Sequence, residues 1–183
     1  YAKITIESFY KAYDNYPFLI KDSISLANLG GDFGIIGNEE VTSSSEGRSY
    51  GVELLLQQKL SKKFYGILAY TWVKSEFSDK DGQSRPSAWD NRNIISATCG
   101  KQFNKNWEVG IKFRYSGGSP YTPYDLERSS VISIWNVSRR GLPDYNRLNE
   151  NRFSANHGMD IRIDKKWYGI ATTATSIGYP MRR

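Results

Sequence analysis

The stretches GVELLLQQKLSKKFYGILAYTW, residues 51–72, and NIISATCGKQFNKNWEVGIKFRY, residues 93–115, decide the fold. From Trp107 the odd positions run Trp107, Val109, Ile111, Phe113 and Tyr115, and the even ones Glu108, Gly110, Lys112, Arg114 and Ser116. A period of two puts successive side chains on opposite faces of a strand, here one apolar and one polar. Val52, Leu54, Leu56 and Leu60 alternate in the same way with Glu53, Gln57 and Lys59, blurred by Leu55 and Gln58. Four strands are expected in a row: Gly51–Leu60, Phe64–Trp72, Asn93–Phe103 and Trp107–Tyr115. Ser61-Lys62-Lys63 joins the first pair, Asn104-Lys105-Asn106 the last, and a loop from Val73 to Arg92 the middle pair.

Outward from this core, Lys3–Ala12 alternates Ile4, Ile6, Ser8 and Tyr10 with Thr5, Glu7, Phe9 and Lys11 and is expected to be the first strand. At the other end Met159, Ile161, Ile163 and Trp167 alternate with Asp160, Arg162, Asp164 and Lys166, a strand over Gly158–Trp167. Asp14–Arg48 reads as a long polar loop ending in the Ser-rich Thr42–Gly47, with a short strand near Phe33–Ile36. Gly117–Asn156 reads as another long loop. The connections therefore run long, short, long, short, long. In an up-and-down sheet successive connections lie at opposite ends, so every long loop falls at one end and every tight turn at the other.

The 183 residues suffice for one domain with a sizeable core. No apolar run reaches the ~18 residues of a transmembrane helix. The mean hydropathy of −0.58 says nothing against a membrane barrel, whose alternating strands stay polar on average. A net charge of +6 with interleaved acids gives no reason to expect a nucleic-acid partner. The single Cys99 cannot form an internal disulfide and falls on the apolar side of its strand with Ile95 and Ala97. No Ser/His/Asp series or Cys/His metal set can be built around the single His157, so neither catalytic nor metal-ligating residues nor a cofactor are expected. Asp79-Lys80-Asp81-Gly82 lacks the later Glu of a calcium loop and reads as a hairpin tip. Gly30-Gly31-Asp32-Phe33-Gly34 reads as a turn.

The asymmetry of the connections predicts an all-β fold: an antiparallel up-and-down transmembrane β-barrel segment of about six strands from a larger barrel. Outer-membrane barrels carry short turns on one side, long loops on the other and aromatic girdles at both interfaces. Phe64, Trp107 and Trp167 lie at the short-turn ends, and Tyr70, Trp72 and Tyr115 toward the long loops. Strands of about nine to eleven residues also match what a tilted strand needs to cross the hydrocarbon. A soluble β-sandwich alternates too, but has no physical reason to gather its long loops at one end. Charge sorts likewise: Lys59, Lys62, Lys63, Lys101, Lys105, Lys165 and Lys166 flank the short turns, whereas Arg48, Arg85, Arg92, Arg128, Arg139, Arg140, Arg147 and Arg152 occupy the long loops. Turn lysines can reach phospholipid headgroups, and loop arginines can clamp the phosphates of outer-leaflet lipid and lipopolysaccharide or an anionic ligand.

SYGVELLLQQKLSKKFYGILAYTWVKSEF (49–77) and RPSAWDNRNIISATCGKQFNKNWEVGIKFRYSGGSPYTPYD (85–125) resemble the late barrel strands of TonB-dependent outer-membrane receptors. FYKAYDNYPF (9–18) and NENRFSANHGMDIRIDKKW (149–167) fit the same series, so the resemblance covers residues 1–168. It implies the outer membrane of a Gram-negative bacterium, a barrel closed around its own plug domain, energy relayed by TonB, and uptake of a scarce small nutrient. The chain starts at Tyr1 without a leader and carries neither plug nor TonB-contacting segment, so it is expected to be a fragment. Residues 169–183, GIATTATSIGYPMRR, depart from the family's aromatic-rich end and are expected to be an atypical, truncated or frame-shifted tail.

Arg85, Trp89, Arg92, Tyr121, Tyr124, Trp135, Arg139 and Arg140 are the loop candidates for ligand binding, since aromatic faces and guanidinium forks suit siderophores, glycans or peptides. Loop packing is the simpler role for each one alone. Glu53, Lys112, Arg114, Asp160 and Arg162 are expected to face the lumen and pair with the plug. The competing expectations are a soluble β-sandwich carbohydrate-binding module and a passive porin segment.

Overall fold

The computed structural model describes residues 1–29 and 39–167. In chain order the strands among these are β1 (Ala2–Leu19), β2 (Ile24–Ser25), β3 (Val41–Ser61), β4 (Phe64–Ser78), β5 (Ser84–Pro86), β6 (Asn93–Gln102), β7 (Trp107–Ser116), β8 (Pro120–Tyr121), β9 (Asn151–Arg152) and β10 (Asn156–Lys165). Two short helices, α1 (Leu126–Ser129) and α2 (Ile132–Ser138), lie in the last long loop. The main sheet runs β10-β7-β6-β4-β3-β1-β2, with β5 beside the end of β4, and it curls into a half-barrel. Each long strand pairs antiparallel with the long strand before it in the chain, an up-and-down all-β fold.

The expected strands are present, and the first two are much longer than the alternation indicated. β1 continues to Leu19, and β3 begins at Val41, so the connection expected over Asp14–Arg48 is in fact Ile20–Glu40. The reason is a pair of register shifts between Tyr13 and Pro17, where Asn15 takes a positive φ of 56°. A bulge inserts an unpaired residue and flips the parity of the positions after it, so period two breaks while the ladder continues. The Ser-rich Thr42–Gly47 is likewise strand, paired with Tyr13–Phe18 of β1, and the Phe77 ring occupies the space where a Cβ on Gly47 would sit. Phe77 is buried and packs on Tyr13, Tyr16 and Trp89, with Ser45, Ser49 and Ser75 buried near it. β4 runs through Ser78, which shortens the middle loop to Asp79–Arg92; β6 ends at Gln102; β10 covers Asn156–Lys165. The short strand near Phe33–Ile36, the turn over Gly30–Gly34 and the tail 169–183 lie outside the described residues.

Register aligns the two faces across all six long strands. Ile4, Leu56, Leu68, Ala97, Phe113 and Met159 form one row, and the adjacent row, Lys3, Gln57, Ile67, Thr98, Lys112 and Asp160, points the other way. The apolar face has no covering layer among the described residues: Met159 and Ile161 are 64% and 60% exposed, and Ile4, Ile6, Phe64 and Ile111 are exposed as well. The buried apolar side chains, Leu19, Ile24, Ala27, Phe77 and Leu148, sit at the long-loop end.

At the opposite end the turns are tight. Lys62 and Lys63, with φ of 47° and 65°, form the two-residue connection between Ser61 and Phe64. A two-residue hairpin of this kind needs positive φ at both central positions to match strand twist. The second turn wraps Asn104–Asn106, with Lys105 at φ 56° and the Phe103 amide donating to the Trp107 carbonyl over 2.7 Å.

Candidate functional site: the loop layer

The three long connections pack on one another over one end of the sheet. Leu19, Ile24 and Leu148 form its apolar centre, with Leu26, Leu29 and Tyr145 against them. Polar side chains tie the loops together. The Asn149 amide nitrogen donates to the carbonyls of Asn28 and Pro86, each over 2.8 Å, and Asn28 donates to Arg85 and Pro86 carbonyls at 3.1 and 2.9 Å. Asn149 itself takes a φ of 53°. Each of these donors satisfies a loop carbonyl that burial would otherwise strand without a partner.

Asp90 is fully buried, and Arg152 grips it: Nη2 meets the carboxylate Oδ2, while Nη1 donates to the Asp90 carbonyl and to the Gly118 carbonyl. The other carboxylate oxygen accepts from the Ser75 amide at 3.1 Å. One ion pair thus connects the middle loop, the end of β4 and the two-stranded β8–β9 ribbon. In the middle loop Asp79 accepts from the Asp81 and Gln83 amides and from Arg85 Nε, each within 2.9 Å. Burial alone would raise the Asp79 carboxyl, but Arg85 and the two amides hold it below the ordinary carboxylate range. Asp79-Lys80-Asp81-Gly82 is a hairpin tip whose Asp79 oxygens cap the turn, with Gly82 at φ 70°. Tyr145 is pushed up to about 12, by burial first and then by nearby Asp22, toward which its hydroxyl donates at 3.5 Å.

The sequence candidates separate into two groups. Arg85 is held by Asp79 and reaches the Asn146 carbonyl; Trp89 lies edge-on to Phe77; Arg92 Nε stands 3.7 Å from Asp90. Tyr121 stacks on Phe153 with ring centroids 4.5 Å apart, and the Tyr124 ring lies against Gly141. These five hold the loops together. Trp135, Arg139 and Arg140 lie on α2 and its cap, exposed beside Ile132 and Val137, while Trp89, Arg92 and Tyr124 keep about as much of their surface in solvent as Trp135 does. The residues that organise the layer, Asp90, Arg152, Asn149 and Asn28, were missed in sequence. The Trp89-Asp90-Asn91-Arg92 run was the one available signal, since an acid between aromatic and basic residues in a loop invites pairing.

Glu53, Lys112, Arg114, Asp160 and Arg162 do share the polar face. Arg114 pairs with Asp160 at 3.4 Å, and Arg162 bridges Glu108 and Asp164 at 3.4 and 2.7 Å. Glu53 faces Glu7 directly across the β1–β3 ladder. No three His, Cys, Asp or Glu come together as a metal site among the described residues. His157 sits on β10 opposite Tyr115, in the row of the apolar face. No family model, curated protein or solved structure matches the chain.

Proposed function

We propose that the chain is a segment of an outer-membrane β-barrel and, within that class, of a TonB-dependent transporter for a scarce nutrient such as a siderophore, glycan, peptide or vitamin. The observation that carries this reading is the apolar face, continuous over six strands and uncovered among the described residues. Each Leu, Ile or Met left in water forgoes ~1.5–3 kcal/mol of burial, so such a face calls for a lipid or protein cover. A sandwich would cover it with a second sheet, and the only other sheet among the described residues is the small β8–β9 ribbon in the loop layer. Lipid is the cover that asks for no further protein layer.

Two further features favour a barrel with long external strands. β1 and β3, of 18 and 21 residues, reach about 60–70 Å at strand rise, twice the ~30 Å hydrocarbon thickness. Their surplus lies at the long-loop end, where it would lift the loop layer clear of the bilayer. The narrower transporter reading rests on the ordered resemblance over residues 1–168 and on the polar face. Glu7 opposite Glu53 repels within the sheet, which is tolerable where cations of a plug face them. In that reading Trp135, Arg139 and Arg140, with the exposed Trp89, Arg92 and Tyr124, are the accessible ligand-facing residues, and the chain does no catalysis.

The test is to purify the chain with and without detergent and to compare circular dichroism and size-exclusion profiles. Folding into a β-rich species only in detergent or lipid supports the barrel. A soluble β-rich monomer without detergent refutes it and favours the sandwich. A plug-encoding segment upstream in the parent gene separates the transporter from a passive porin.

A further inference from the structure

The tight-turn end combines two features that the segment reading alone does not require. On the apolar face, small Ala2, Gly66, Ala97 and Cys99 leave a hollow of about 430 Å³ walled by Leu56 and Phe64. Phe64 is the link to charge, since Lys63 precedes it in the chain and Lys101 is its ladder partner. Lys62 and Lys63 both hold positive φ, where L side chains are disfavoured and Asn-Gly would form the turn with less strain. The amines therefore occupy positions that turn geometry alone would assign to other residues. Lys101 lies on the apolar-face row, its amine 5.6 Å from the Phe103 ring, and Lys165 lies over Trp107 at 5.1 Å. The nearby acid Glu108 is already engaged by Tyr65, Arg162 and Lys166. Lys62, Lys63 and Lys101 stand in no ion pair among the described residues, and the Lys63 amine donates only to the neutral Asn104 Oδ1, at 2.7 Å.

We propose that this end holds one anionic phospholipid, its acyl chain in the hollow and its phosphate between Lys62, Lys63 and Lys101. Apolar hollow and amines meet at Phe64, as the boundary between chain and headgroup meets in a lipid. The proposal rests on the membrane reading above, and its test separates the two.

The full chain, refolded in detergent, is titrated with phosphatidylglycerol or phosphatidylcholine of equal chain length, and lipid adducts are counted by native mass spectrometry. One retained phosphatidylglycerol per chain is expected, held about a hundredfold more tightly than phosphatidylcholine. Each lysine near an anionic surface is worth about fivefold, so Lys62→Gln, Lys63→Gln and Lys101→Gln together lower that preference about a hundredfold. Gly66→Leu fills the hollow with its Cβ at ordinary contact, 3.4 Å from the Cys99 Cβ, and is expected to release both lipids while the circular dichroism is unchanged. Equal retention of the two lipids, or a preference that survives the lysine changes, overturns the proposal and leaves the barrel reading standing. Displacement of the lipid by millimolar inorganic phosphate, with Gly66→Leu indifferent, overturns it in favour of a free-anion site. A chain that folds as a soluble monomer and takes up neither lipid overturns both readings.

Discussion

Replacing Arg152 with Ala should open the loop layer while the strands remain paired. The carboxylate of Asp90 is fully buried, and Arg152, whose side chain is 27% exposed, supplies its closest cation among the described residues; Arg92 pairs more loosely at 3.7 Å and is half in solvent. Removing one partner of a buried pair costs ~3–5 kcal/mol because the remaining charge is left uncompensated. Exposure of Arg152 and the nearness of Arg92 put the expected value at the lower end, about 3 kcal/mol, or somewhat more than a hundredfold in the local opening equilibrium. Hydrogen exchange read by mass spectrometry in detergent reports this directly. Amides of Ser75 and Gly117, which bond to Asp90 and to the Asn93 carbonyl, should exchange about a hundredfold faster. The Gln102 amide, bonded to the Lys63 carbonyl at the far turns, should not change. Removing Asp90 as well should recover part of the loss, because no buried charge then remains. Exchange within threefold of the parent chain, or a double variant whose loss is the sum of the singles, would refute the pairing argument.

Three other perturbations have outcomes fixed by the same structure. Tyr145 has its folded value raised to about 12 from an ordinary 10.0, so the stability it contributes is whole below pH 10 and is lost as pH rises toward 12; a phenolate absorbance titration should show a late component near 12 that is absent in Tyr145→Phe. Asp79 behaves with the opposite sign: its carboxyl is depressed below 3.8, so its contribution is present above that pH and is lost as the pH falls below it. Exchange protection of the Gln83 amide should fall there, and Asp79→Asn should remove the acid step. On the sheet, Leu68→Arg places a cation in the middle of the apolar face and should cost ~2–4 kcal/mol of folding stability in lipid. Lys112→Gln on the polar face should change stability by less than about 0.5 kcal/mol; equal effects in a urea titration of the lipid-inserted chain would contradict the assignment of faces.

Much of the sheet was legible because it is written in local periodicity. Trp107 to Ser116 alternates without a fault, and β7 occupies those residues. The extension of β1 past Ala12 was hidden for a physical reason: the bulge around Asn15 shifts parity, and Pro17 reads as a break although the ladder continues through it to Leu19. Thr42–Gly47 on β3 reads as a loop because nothing in that stretch reveals its pairing with β1 past the bulge, or the ring of Phe77, some 30 residues away in the chain, that leaves no room for a Cβ at Gly47. The candidate ligand residues fared similarly. Aromatic and basic side chains in loops were found by type, but type does not distinguish Trp89, whose ring lies edge-on to Phe77, from Trp135 on α2, although the two are equally exposed.

The sequence by itself determined the number and order of the long strands, their two faces and the gathering of long loops at one end and lysine-bearing turns at the other. These are consequences of side-chain alternation and connection length, which act between near neighbours. Only the tertiary structure decided that Asp90 meets Arg152 across 62 positions, that Asn149 closes on Asn28 and Pro86, and that Phe64, a wall of the apolar hollow, pairs with Lys101. Those meetings depend on register and on how loops fold back over a curled sheet, and no short-range pattern encodes which distant partner a buried charge or an empty space will find.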